Sequence, residues 1–146
     1  MNQTQELFND LYKNVRMASY AIDCIQPAIN DEILSDVIHK QNNIYLDFTN
    51  KLETLAKDLK LEISDINPFL KASSFSSIKL NTLMNDETNH LCSMLIEGTS
   101  MGVITTITAI ADYPNSPNEL IDIALAIKEK EELFIESLKD IIMQNK

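Results

Sequence analysis

The sequence predicts an all-α fold: one domain over residues 1–146, built as an antiparallel up-down bundle of four helices. Apolar residues make up 45% of the 146, enough for one sizeable core. There are only two Gly and four Pro, whereas strand-rich folds need turn residues at short intervals. Apolar positions also recur every three or four residues along most of the chain, the period of an amphipathic helix.

The first helix is expected from about Thr4 to Ile25 or Ile29, on the stripe Leu7, Leu11, Val15, Ala18, Ile22 and Ile25. Pro27 has no N–H to donate to an interior turn, so the helix ends or kinks there. Asn30 or Asp31 is a candidate N-cap for the second helix, which continues to about Lys60. Its stripe is Leu34, Ile38, Gln41, Tyr45, Phe48, Leu52, Leu55 and Leu59. Residues 61–67 form a connection, and Asn67-Pro68 reads as an N-cap followed by Pro in the first turn. The serines of Ser73-Ser74-Phe75-Ser76-Ser77 have weak helix propensity. They predict a short helical piece, a break, and a third helix from about Ser76 to Asp112. The loop Tyr113-Pro114-Asn115-Ser116-Pro117 leads to the fourth helix, with Ser116 as N-cap and Glu119 as the capping-box acid. Leu120, Ile123, Ala124, Ile127, Phe134, Leu138 and Ile141 form its stripe.

A net charge of −10 disfavours nucleic acid and anionic lipid surfaces as partners. The run Asn2-Gln3-Thr4-Gln5-Glu6 has neither a basic nor an apolar leader character. Cys24 and Cys92 read as two reduced, buried thiols, and the expected setting is cytoplasmic. Leu91 to Ala111 is roughly long enough to span a bilayer, but Glu97 and several threonines interrupt it, so no membrane span is expected.

Two acids fall where apolar side chains are expected. Glu87 lies on the stripe Leu80, Met84, Leu91 and Leu95, and Glu131 on the line Ile127, Phe134 and Leu138. A buried carboxylate is costly unless paired, hydrogen-bonded or metal-bound. Glu87-Thr88-Asn89-His90 has metal-ligand spacing, since residues three apart share a helix face. Glu87 and His90, with Tyr45 and Gln41 nearby, are therefore candidate ligands for a divalent ion, iron or zinc; equally, Glu87 could hydrogen-bond Tyr45, and Gln41 and Tyr45 could fix helix register. Asp36-x-x-His39 has the same spacing but points away from the stripe. Of its two His only His90 belongs to a Glu-x-x-His, so the chain lacks the second such pair of a di-iron bundle. Counting from the joints puts Glu87 beside Tyr45 and Val15 and Glu131 opposite Thr99, on the order of 15 Å apart along the bundle. Glu131 then pairs with a Thr or a water.

Both glycines lie in the third helix as Gly98-x-x-x-Gly102. Each costs about 1 kcal/mol in a helix interior, so two on one face imply close approach of another helix or space for a ligand. The opposite side of that helix carries Cys92, Ile96, Val103, Ile107 and Ile110. A helix apolar all round is buried all round, which implies a homo-oligomer, a dimer, packed through Gly98, Gly102, Ile96, Val103 and Ile107.

Tyr12 to Ala18, Gln41 with Tyr45, the block His90 to Gly102, and Glu131-Glu132 resemble small ferritin-like four-helix-bundle proteins of Gram-positive bacteria. The resemblance covers most of the chain and implies a ferritin-like fold and a cytoplasmic setting. It implies no catalytic residues. Three functions remain open: a non-catalytic homo-oligomeric binding or structural protein, a metal protein in storage or oxidative-stress chemistry, and a carrier of a small apolar ligand beside the glycines.

Overall fold

The computed structural model describes residues 2–145. Among them the chain is all-helical, with five α-helices and one 3₁₀ turn. The helices are α1 (Gln3–Ile25), α2 (Glu32–Leu59), α3 (Pro68–Met84), α4 (Thr88–Asp112) and α5 (Asn118–Gln144).

Side-chain oxygens fix most helix starts. The Asn2 side chain accepts from the Thr4 N–H, Asp31 from Leu34 and Asn67 from Phe69, each satisfying an N–H that has no intrahelical partner. Pro27 falls in the 3₁₀ turn Gln26–Ala28, and this turn ends the first helical run. Helix α2 stops at Lys60, whose φ of 57° is left-handed, and the Leu61 N–H reaches back to the Ala56 carbonyl at 2.8 Å. Ser116 does not cap α5 as expected. Its hydroxyl donates to the Tyr113 carbonyl at 3.0 Å, and Pro117 occupies the cap position instead.

The serines do not break the chain. Helix α3 runs through Ser73–Ser77 and continues to Met84. Its lower part is held by packing: the Lys71 ammonium lies 5.1 Å from the centre of the Tyr20 ring, and Ile78 lies against the core. The break comes at Asn85-Asp86-Glu87, where the Asn85 side chain accepts from the Glu87 N–H at 2.9 Å. That local bond offers the backbone an alternative to the helix. The expected third helix from Ser76 is thus two helices, and the bundle has five rather than four.

This extra helix sets the topology. Helix α1 packs on α2 and α4, and α5 packs on α4 and α2, around one shared core. Hydrogen bonds fix the directions. Gln3 at the start of α1 accepts from the Asn115 N–H just after α4, and Asn89 at the start of α4 donates to the Asn145 carbonyl just after α5. Each of these packed pairs is therefore antiparallel, and α2 and α4 run the same way. Helix α3 makes that possible by carrying the chain back along α1, with the Arg16 guanidinium pairing with Asp65 at its foot.

The core is filled by Leu7, Leu11, Val15, Ile22, Leu34, Ile38, Leu52, Leu91, Leu120, Ile127 and Leu138. Each such side chain is worth roughly 1.5–3 kcal/mol when fully buried. In α3 the one buried residue is Thr82. The chain is thus a four-helix core with a fifth helix laid on its flank. Helix α4 is the one described helix long and apolar enough to cross a membrane, by length and composition; here it packs against α1 and α5.

Candidate functional site

Glu131 of α5 is buried in the core, 1% exposed. The Tyr45 hydroxyl donates to Glu131 Oε2 at 2.8 Å and the Asn14 amide to Oε1 at 3.1 Å. The same Asn14 amide donates to the Thr106 hydroxyl at 3.3 Å, and that hydroxyl donates to the Gly102 carbonyl at 3.0 Å. One network thus ties α1, α2, α4 and α5 together at mid-height. Thr99 and Gln41 stand beside the Tyr45 hydroxyl, and the buried Gln41 amide nitrogen has no partner among the described residues.

Among the described residues no cation offsets the Glu131 charge. Burial pushes its carboxyl up to about 7, against a smaller downward pull from its bonds to Tyr45 and Asn14. Burial, and then the Glu131 charge, hold the Tyr45 hydroxyl well above its ordinary range. The carboxyl can therefore gain or lose a proton near neutrality, but it is sealed from solvent behind Tyr45, Asn14 and Gly102.

Those three residues also form part of the floor of a cleft of about 750 Å³ between α1, α3 and α4. That volume is within the usual range for small-molecule sites. The cleft exists because α3 rests on α1 and barely touches α4. Its walls include Met17, Ile22, Ile78, Met94 and Met101, with Ser73, Ser74 and Ser77 on the α3 side. Gly98 and Gly102 line it too, for opposite reasons. A Cβ on Gly102 would stand 2.6 Å from Asn14 Oδ1 and 2.8 Å from Glu131 Oε2, so this glycine lets the network reach the α4 backbone. A Cβ on Gly98 would meet nothing within 4 Å. At its lower end the cleft carries Asp10 and Lys13. Burial, then the Glu6 charge, push the Asp10 carboxyl up from its ordinary range; Lys13 opposes this and Asp112 adds to it.

The residues singled out in the sequence fall into separate places. Glu131 lies at the level of Thr99, as counted, but Tyr45 belongs to Glu131 and not to Glu87. The count assumed an unbroken third helix antiparallel to the second. Glu87 instead sits at the start of α4, exposed, with its carbonyl accepting from Leu91. It borders a polar depression at the end of the bundle with Asp31, Asn89 and Asn145. His90 is half-buried, and its Nε2 has no partner among the described residues. Among those residues no three His, Cys, Asp or Glu side chains converge as a metal site. Asp36 and His39 are exposed. Val103 is buried, Ile96 half-buried and Ile107 exposed. Cys24 and Cys92 are both buried free thiols. Burial and the nearby Asp31 raise the Cys92 thiol to about 11, so it is no nucleophile at neutral pH.

Two network members went unread in the sequence: Asn14 and Thr106. The available signal for Asn14 was its spacing, three residues after Leu11 and four before Ala18 on the apolar side of α1. No family model, no curated protein and no solved structure matches the chain.

Proposed function

We propose that this protein is a non-catalytic binding protein that takes a small, largely apolar molecule into the cleft between α1, α3 and α4. Gly98 carries the reading. A glycine inside a helix costs about 1 kcal/mol relative to alanine. Gly102 repays that cost through the close approach of Asn14 and Glu131, whereas no described residue outside the local helix backbone comes within 4 Å of a Cβ placed on Gly98. Gly98 is solvent-exposed and lines the cleft, and a bound molecule would occupy the space that no side chain fills. Binding rather than catalysis fits a site whose neutral-range acid, Glu131, is buried beneath the floor and bonded to Tyr45 and Asn14.

The architecture we assign is ferritin-like: two antiparallel helix pairs joined by one long connection is the ordering of that fold, here with α3 as the connection, and the setting we assign is cytoplasmic. Metal storage has less support, since Glu87 is solvent-facing and His90 has no converging acid pair. Self-association is a second component, favoured by an apolar outer face on which Ile104 is 63% and Leu133 54% exposed. Native mass measurement at tens of micromolar tests it, and a strict monomer removes it.

The cleft reading is tested with Nile red, an uncharged solvatochromic dye. The wild-type protein should bind it saturably at one site. Gly98→Phe, which puts a ring into open space, should abolish that binding while leaving the unfolding transition intact. Equal dye binding by both proteins would sink the cleft as the site.

A further inference from the structure

The cleft is charged at one end and uncharged at the other. Asp10 and Lys13 line its lower mouth; Ile25, Ile78 and Leu95 line it towards the upper end, with Ser77 beside Ile78 on α3. From Asp10 to Ile25 along α1 is roughly 22 Å at ~1.5 Å per residue. An occupant that fills this space is elongated and has one wet end. The methionines Met17, Met94 and Met101 give it flexible, polarisable walls that can adapt to an alkyl chain.

Charge decides what the wet end is. Lys13 is the one cation lining the cleft among the described residues. Against it stand Asp10, which lines the cleft, and Glu6 and Asp112, which lie within electrostatic reach of Asp10. The same three acids gather around Tyr113, so the cluster brackets the end of α4 as well as the start of α1. Asp10 and Lys13 balance each other at the lining, and Glu6 and Asp112 behind Asp10 leave the neighbourhood of the mouth negative. The chain as a whole carries −10, so the long-range field adds to the local one. A carboxylate or phosphate head is repelled from this mouth, and a cationic head is drawn to it.

We infer that the occupant is an elongated cationic amphiphile, with its ammonium head beside Asp10 at the cleft mouth, within electrostatic reach of Glu6 and Asp112, and its alkyl body running towards Ile25 and Ile78. This rests on the cleft being the binding site, and it adds the chemical class of the ligand.

Three probes of equal chain length test it by calorimetric titration below their aggregation concentrations: dodecyltrimethylammonium, dodecanoate and an uncharged dodecyl glucoside. The ammonium should bind one to one, at least about tenfold more tightly than the carboxylate, and the gap should shrink with added salt. Asp10→Asn should narrow the gap several-fold, and Gly98→Phe should abolish binding of all three. Carboxylate binding as tight as the ammonium overturns the inference, as does a preference that Asp10→Asn leaves untouched. Ammonium binding that survives Gly98→Phe marks loose association with an acidic surface and also overturns it. If the glucoside binds as well as the ammonium, the cleft stands and only the charge assignment falls. If no probe binds the wild-type protein, the cleft reading falls and takes this inference with it.

Discussion

Replacing Gly98 and Gly102 by alanine, one at a time, puts the same methyl group into the same helix one turn apart. On propensity alone each change should stabilise by about 1 kcal/mol. At Gly98 nothing opposes that gain, because the added Cβ meets no atom within 4 Å. For a chain of this length a gain of ~1 kcal/mol raises the melting temperature by roughly 2–4 °C. At Gly102 the Cβ arrives 2.6 Å from Asn14 Oδ1 and 2.8 Å from Glu131 Oε2. Both atoms end flexible side chains, but neither is free to move. Asn14 is held by Glu131 and Thr106, and Glu131 by Tyr45 and Asn14. Displacing them leaves a buried polar group unpaired, at about 1–3 kcal/mol for each bond lost. With one bond lost, the sum for Gly102→Ala is a net loss of up to about 2 kcal/mol, and with two bonds lost about 1–5 kcal/mol. Thermal and urea unfolding of the two variants against wild type reads the signs directly. If Gly102→Ala is stabilised as much as Gly98→Ala, the network does not press on the α4 backbone as described.

The other predictions concern the same network and its surroundings. The Glu131 carboxyl rises from its ordinary 4.5 to about 7 in the fold. Its contribution to stability is thus full below pH 4.5 and is lost as pH rises through about 7, by about 3 kcal/mol; Glu131→Gln should flatten that part of a urea-stability profile between pH 4.5 and 8. Tyr45→Phe removes one of the two donors to Glu131 and should cost about 1–3 kcal/mol, measured by denaturation at pH 8; an unchanged midpoint would mean the bond contributes nothing. Arg16→Ala should cost less than ~1 kcal/mol, and less still at high salt, because the pair with Asp65 is solvent-exposed. Cys92, buried and with its thiol raised to about 11, should resist alkylation by iodoacetamide in the folded protein and react once the chain is unfolded.

The helices were legible in the sequence because their stripes are long and regular; Leu7 to Ile25 and Leu34 to Leu59 follow one period without interruption. The break lies at Asn85-Asp86 and not at the serines, whose low propensity predicted it. Propensity differences of a few tenths of a kcal/mol per serine yield to packing, whereas an asparagine side chain bonded two residues ahead redirects the backbone itself. That single displacement moved Glu87 out of the core and Tyr45 away from it. Leu80 and Met84 belonged to the same expected stripe, and they are 61% and 78% exposed. Glu131 was legible because its neighbours on α5 are unbroken in phase. Its partners were not, because Asn14 comes from a helix 117 residues away in sequence, and no local pattern records which levels of two helices meet. The cleft was foreshadowed by its glycines alone. The lining from α3 depends on that helix lying along α1, a tertiary fact.

Helix α3 differs from its four neighbours in how little it buries. With Thr82 as its one buried residue, its amides should exchange with solvent long before those of α1, α2, α4 and α5, through a partial opening well short of global unfolding. The wall of the cleft is thus the least costly part of the molecule to release. Under the proposed binding role, a guest would come and go at the expense of one peripheral segment, while the Glu131 network ties α1, α2, α4 and α5 together.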